Sequence, residues 1–174
     1  MVTRSCRWAC GIVLIALCAS GCQTREPFED TEGNDYPQTL LGLKAEIQGA
    51  LNDLDQTLFE AAKAIASHGL GADETRQILR DLCAGRPYVV DCSTVDADGL
   101  LVAVEPPDFR QLEGKDISSQ EQVKLVRKSK GPVLSTVFDA IEGGKGIDLE
   151  WPVITSDGDF LGSVRMLIRP ADVL

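Results

Sequence analysis

The sequence is poor in aromatic residues, nearly without histidine, and short of basic charge for its acids. Of 174 residues, 5% are aromatic, and 17 lysines and arginines face 27 aspartates and glutamates, for a net charge of −10. That balance excludes a general nucleic-acid binder and a polybasic grip on anionic lipid. The scarcity of rings excludes an aromatic platform for stacking bases. The one histidine, His68, cannot complete a zinc set with the cysteine spacing present. A Ser-His-Asp triad would have to use the same His68, which closes a helical stretch before Gly69-Leu70-Gly71. No Gly-x-Ser-x-Gly elbow occurs, and Gly143-Gly144-Lys145-Gly146 lacks the Walker spacing and a following helix. The acidic turns Asp96/Asp98 and Asp157/Asp159 lack the closing glutamate of a calcium loop and read as hairpin turns. The remaining acids are dispersed, so no glycosidase pair stands out. Nothing here points to catalysis, a metal or another cofactor. The length allows one ordinary domain plus some extra sequence, and is too short for a typical TIM barrel.

Long apolar runs are also missing. The longest, Trp8 to Ala19, is well below the ~20 residues that span a bilayer. With Arg4 and Arg7 before it, it reads as the apolar region of a signal peptide over residues 1–21. The run ends in Ala19-Ser20-Gly21-Cys22, which resembles the lipobox of bacterial-type lipoproteins, with alanine where leucine is commoner. The resemblance implies cleavage before Cys22 and attachment of diacylglycerol to its thiol. An ordinary secretory signal beside a chance cysteine is the plainer alternative. Residues 22–35 are polar, acidic and without periodicity, as expected of a flexible tether. The expected address is a membrane surface facing the periplasm or the cell exterior.

Cysteine usage fits export. Cys6, Cys10 and Cys18 lie in the leader and Cys22 is the lipid site, which leaves Cys83 and Cys92. An oxidising compartment permits a disulfide between them; two buried free thiols are the alternative.

The domain is expected over residues 36–174. Leu40, Leu43, Ile47, Leu51, Leu54, Leu58, Ala61 and Ile65 recur in steps of three and four, predicting a long amphipathic helix. A second helix is expected over 73–84, ended by Gly85 and Pro87. Strands are expected over 88–95 and 100–104, joined by the Asp98-Gly99 turn. A loop over 105–116 leads to Ser118-Ser119-Gln120-Glu121, read as a capping box opening a short helix. Three strands follow, over 133–141, 147–154 and 160–168. The expected fold class is α+β: a five-stranded antiparallel sheet with the long helix on one face and the loop and short helix over the other, leaving a pocket between sheet and loop.

Arg86-Pro87-Tyr88-Val89-Val90-Asp91, the turn Asp96-Ala97-Asp98-Gly99, the stretch Glu113-Gly114-Lys115-Asp116-Ile117-Ser118, Gly131-Pro132-Val133-Leu134-Ser135 and Asp157-Gly158-Asp159-Phe160-Leu161-Gly162 follow in an order that resembles a single Cache domain, the extracytoplasmic PAS-like sensor module. The resemblance runs from about Leu40 to the C-terminus. It implies capture of a small extracellular metabolite in the pocket between sheet and loop, and passage of that event along the long helix. Cache receptors usually continue into a membrane span and a cytoplasmic module. This sequence stops at Leu174, so action in trans on a membrane receptor or transporter is expected. An envelope interaction protein without a small ligand is the alternative.

Candidate pocket residues follow from strand alternation. In the last strand, Ser163, Arg165 and Leu167 share a face. A buried guanidinium needs a partner, either a ligand carboxylate held bidentately or a structural pair with Asp148 or Glu150. Tyr88, Ser135 and Trp151 sit on strands that could face the pocket, Trp151 equally as core, and Lys130 lies where it could reach a ligand anion or stay in solvent. The near-heptad repeat of the long helix is compatible with parallel pairing into a homodimer.

Overall fold

The computed structural model describes residues 36–170; the expected leader, tether and Cys22 lie outside the described residues. Helix α1 (Tyr36–His68) and helix α2 (Asp73–Cys83) come first, followed by strands β1 (Val89–Asp96) and β2 (Leu101–Glu105). A 3-10 turn (Pro107–Leu112), helix α3 (Glu121–Ser129) and strands β3 (Val133–Leu134), β4 (Phe138–Asp139), β5 (Lys145–Ile154) and β6 (Phe160–Ile168) complete the chain. The sheet runs β2-β1-β6-β5-β3, with β4 also on β5, and every pairing is antiparallel. This is the expected α+β class: an antiparallel sheet backed by a long N-terminal helix.

The helices cover one face of the sheet. Leu54, Leu58, Ala61, Ala62 and Ile65 of α1 and Leu79 and Leu82 of α2 bury against Leu149, Val153, Val164, Met166 and Ile168. Each of the leucine, isoleucine, valine and methionine side chains among these contributes ~1.5–3 kcal/mol of hydrophobic free energy. Trp151 faces this layer. Its indole N–H donates to Asp55 at 2.8 Å, and its ring lies 5.0 Å from that of Phe59.

The opposite face has a smaller apolar cluster of Val95, Leu101, Val104, Ile117 and Val123. Helix α3 covers it with Gln122, Val123 and Val126 buried. The β5–β6 hairpin and β1 meet closely at Gly162, whose φ is +152°. A Cβ there would collide with the Val95 carbonyl oxygen, so only glycine lets these two central strands pair.

Three local expectations differ from the structure. The apolar stripe of α1 is buried only from Leu54 onward; Leu40, Leu43 and Ile47 are exposed, because the sheet is shorter than the helix. The strand expected over 133–141 is two short pieces. The Ser135 hydroxyl accepts the Asp148 N–H at 2.8 Å, so a side chain replaces the backbone carbonyl that would have extended the ladder. The capping box does not form: α3 starts at Glu121 after Gln120 with no side-chain cap, and the Ser118 N–H donates instead to Asp116.

Candidate functional site: a carboxylate cage around Arg165

Alternation along the two central strands and β5 sends Asp91 and Ser93 (β1), Asp148 and Glu150 (β5), and Ser163 and Arg165 (β6) to the face away from α1. Antiparallel register places Arg165 between Ser93 on one side and Glu150 on the other. Each of these side chains is buried, and Arg165 is 0% exposed.

The guanidinium is held on every edge. Its Nε donates to Ser93 Oγ at 2.8 Å and Nη1 to Asp148 Oδ2 at 3.0 Å. Nη2 donates to Glu142 Oε1 and lies 3.7 Å from Asp91 Oδ1. Glu150 does not reach it; its carboxylate accepts from Ser163 Oγ at 2.6 Å. Gln122 on α3 donates to Asp148 Oδ2 at 2.9 Å and so ties the helical cover to the cage.

The charges do not balance. Asp91, Glu142, Asp148 and Glu150 share one internal cation, and each keeps one buried oxygen without a hydrogen-bond partner. Burial pushes the Asp91 carboxyl up to about 7 against the opposing pull of Arg165. Burial likewise pushes Glu150 up to about 7, with the Ser163 hydroxyl acting the other way. Asp148 is raised by burial too, less the attraction of Arg165 and the bond from Gln122. Burial alone would lower the Arg165 pKa, but the charges of Asp148, Asp91, Glu142 and Glu150 more than offset it and keep the guanidinium protonated. The cage therefore has a surplus of acceptors and a shortage of positive charge. Glu105 provides the contrast. It also has one orphaned oxygen, but Arg76, Arg80 and Arg110 surround it, so positive charge is in excess there. Among the described residues, no group of His, Cys, Asp and Glu side chains is arranged to hold a metal.

The sequence-derived candidates fall in three places. Arg165 and Ser163 are in the cage. Tyr88 and Ser135 line a separate cleft of about 540 Å³ beneath the first half of α1, walled by Leu43, Ile47, Leu51 and Ile147. Trp151 faces the helices, as described. Lys130 is apart from all of these: it ends α3 in a left-handed conformation (φ 54°) and its ammonium lies 3.3 Å from the Phe160 ring centroid. The expected hollow between sheet and loop is taken up by Arg165 and its acids; the sizeable cleft is on the helix side. Asp91, Ser93, Glu142 and Gln122 were not among the candidates. Cys83 and Cys92 are free thiols in this structure.

Comparison with known proteins adds the following. The family model described as the HK/GC/chemotaxis protein-like sensor domain matches residues 49–170. An extracellular ligand binding receptor from Desulfohalobium retbaense is similar at 37% identity and TM-score 0.76, over 79% of this chain and 26% of the receptor. The ligand-binding domain of the Campylobacter jejuni chemoreceptor Tlp3 in complex with L-valine is similar at 14% identity and TM-score 0.60, over 79% of this chain and 62% of that one. The ligand-binding domain of the Pseudomonas aeruginosa amino acid chemoreceptor PctC in complex with GABA matches at 16% identity and TM-score 0.59, over 78% and 63%. The chain thus spans about a quarter of the first of these and under two thirds of the others. No curated protein sequence matches it.

Proposed function

Since the chain belongs to the HK/GC/chemotaxis-type sensor domain family, we propose that it captures a small molecule by an ammonium group in the carboxylate cage. The observation that carries this is the set of four buried carboxylates, each with an unpartnered oxygen, around a single guanidinium. A buried carboxylate without a partner is costly. An ammonium supplies three donors and the missing positive charge.

Glu142 bears on the rest of the ligand. It reaches Arg165 from the turn between β4 and β5, whereas the other acids project from β1 and β5. A ligand carboxylate exchanging with Glu142 would keep Arg165 paired while the ligand ammonium met Asp91, Asp148 and Glu150. An amino acid carries both groups. The L-valine of the Tlp3 complex and the GABA of the PctC complex belong to that class.

Titration calorimetry on the full chain with L-valine and GABA, each beside its N-acetyl derivative, tests this reading. A free amine should bind and its N-acetyl form should not. Asp148→Asn should weaken binding at least tenfold, since it removes one of the carboxylate charges that would meet the ligand ammonium. Equal binding of acetylated and free forms would overturn the proposal.

The remaining elements are carried by the sequence. The domain would be held to a membrane by lipid on Cys22, face the periplasm or cell exterior, and act in trans on a membrane signalling or transport partner. Cys22→Ala should move the chain from the membrane fraction to the soluble fraction; retention in the membrane would count against the lipid. A second reading, an envelope interaction protein without a small ligand, is favoured by the apolar cleft and the exposed Leu40, Leu43 and Ile47 of α1. That face could also pair two copies. The same titration separates the readings, because the second expects no response to any amine.

A further inference from the structure

We infer that Cys83 and Cys92 form an oxidisable pair that, when bridged, staples α2 to β1. This does not depend on the ligand reading. The two cysteines come from different layers. Cys83 is the last residue of α2, and Cys92 lies on β1 facing the helices, within the main core. The Cys83 thiol donates to the Glu105 carbonyl at 3.5 Å. Glu105 is the cross-strand partner of Cys92, and directly opposed residues of an antiparallel pair lie ~4.5–5.5 Å apart at Cα. Cys83 is therefore anchored over the same point of the sheet as Cys92. Burial, together with the neighbouring Cys83, holds the Cys92 thiol well above its usual pKa.

Their exposure differs in a way that gives the reaction an order. Cys92 is buried and Cys83 half-buried, and Cys83 lines a surface cleft of about 370 Å³ beside Arg80 and Pro106. A thiolate attacks a disulfide, and the more accessible of two thiols encounters it first. Cys83 thus meets the oxidant first. Its sulfur, losing the proton to solvent, attacks a small-molecule or protein disulfide and expels one thiol, leaving a mixed disulfide on Cys83. Cys92 then loses its proton and attacks the Cys83 sulfur, expelling the second thiol. Two protein thiols are oxidised, and one donor disulfide is reduced to two thiols. An exported chain meets disulfides of this kind in its compartment.

The bridge would bear on the cage. Cys92 is flanked in β1 by Asp91 and Ser93, both of which contact Arg165. Fixing Cys92 to α2 fixes the strand that supplies two of the cage's walls.

The test uses the reduced full chain equilibrated with oxidised glutathione, alkylated under denaturing conditions and digested with trypsin. Trypsin spares the Arg86-Pro87 bond, so one peptide, residues 81–110, carries both Cys83 and Cys92. That peptide should be lighter by two hydrogens and carry no alkyl group. Cys92→Ser should leave Cys83 joined to glutathione, and Cys83→Ser should leave Cys92 alkylated and free of glutathione. The bridged chain should melt roughly 5 °C above the reduced one. Both cysteines alkylated after equilibration, or either one bridged to another cysteine of the chain, would overturn the inference.

Discussion

Arg165→Leu should leave the domain largely unfolded at neutral pH. The guanidinium is fully buried and is the partner of Asp148, Asp91 and Glu142. Removing one member of a buried ion pair costs ~3–5 kcal/mol, because the remaining charge is stranded without water. Here three acids lose the same partner, and a domain of this size has only ~5–15 kcal/mol to lose. Leucine packs the space but supplies no donor. The loss should be partly recovered near pH 5, where protonation of the stranded carboxyls removes their charge. Arg165→Lys should fall between the two, since it keeps the charge and loses the fork that reaches Ser93, Asp148 and Glu142 at once. Circular dichroism melts at pH 7 and pH 5 check this. A variant that melts with the wild type at pH 7 would show that the cluster does not hold the sheet face together.

The stability of the ligand-free wild type should fall as pH rises from about 4.5 to about 8, against the habit of most proteins. The sign follows from the cage. Asp91 and Glu150 titrate near 7 in the folded chain, and Asp148 is raised as well, burial being the main cause for each. In the unfolded chain such carboxyls titrate near 4. Between those limits the folded state binds more protons than the unfolded one, so their contribution to stability is fully present below pH ~4 and is lost as pH rises through 7. The slope is up to about 1.4 kcal/mol per pH unit for each proton of difference. Glu113, lowered chiefly by its bond from Arg76, and Asp116, lowered by Ser118, act oppositely, and only below pH ~4. The melting temperature should therefore peak near pH 5 and drop by roughly 10–20 °C by pH 8. A saturating amine that binds the cage should flatten the curve, because a bound cation favours the ionised carboxyls. A melting temperature that climbs between pH 5 and 8 without ligand would contradict the burial of these acids.

Much of this architecture is legible in the sequence because local signals and long-range packing agree. The three- and four-residue steps from Leu40 to Ile65 set α1, and Asp98-Gly99 sets the β1–β2 turn. Arg165 stands out as a cation on an apolar strand, and the expected pairing with Asp148 on the neighbouring strand is among those it makes. Its other partners are harder to read. Asp91 and Ser93 reach it only through the β1–β6 register, which joins residues about seventy positions apart. Glu142 sits in what reads as a glycine-rich connector. The available signal was polarity: Asp91 and Ser93 alternate with Cys92 and Thr94, and Asp148 and Glu150 with Leu149 and Trp151, which gives these strands a second face too polar for plain core and too buried for solvent. The same burial bears on the choice of test residue. Arg165 cannot probe ligand binding in an intact fold, whereas Asp148→Asn keeps the shape of the side chain it replaces.

The unequal lengths of helix and sheet have a mechanical consequence. Helix α1 is clamped to the sheet from Leu54 to Ile65, while the stretch before it overhangs the apolar cleft with Leu40 and Leu41 about two-thirds exposed (64% and 66%). It is a cantilever. At 1.5 Å per residue the overhang from Tyr36 measures about 25 Å. A rotation of only about 5° at the clamped end therefore carries the Tyr36 end through about 2 Å, a displacement on the scale of the small helix shifts that switch subunit interfaces.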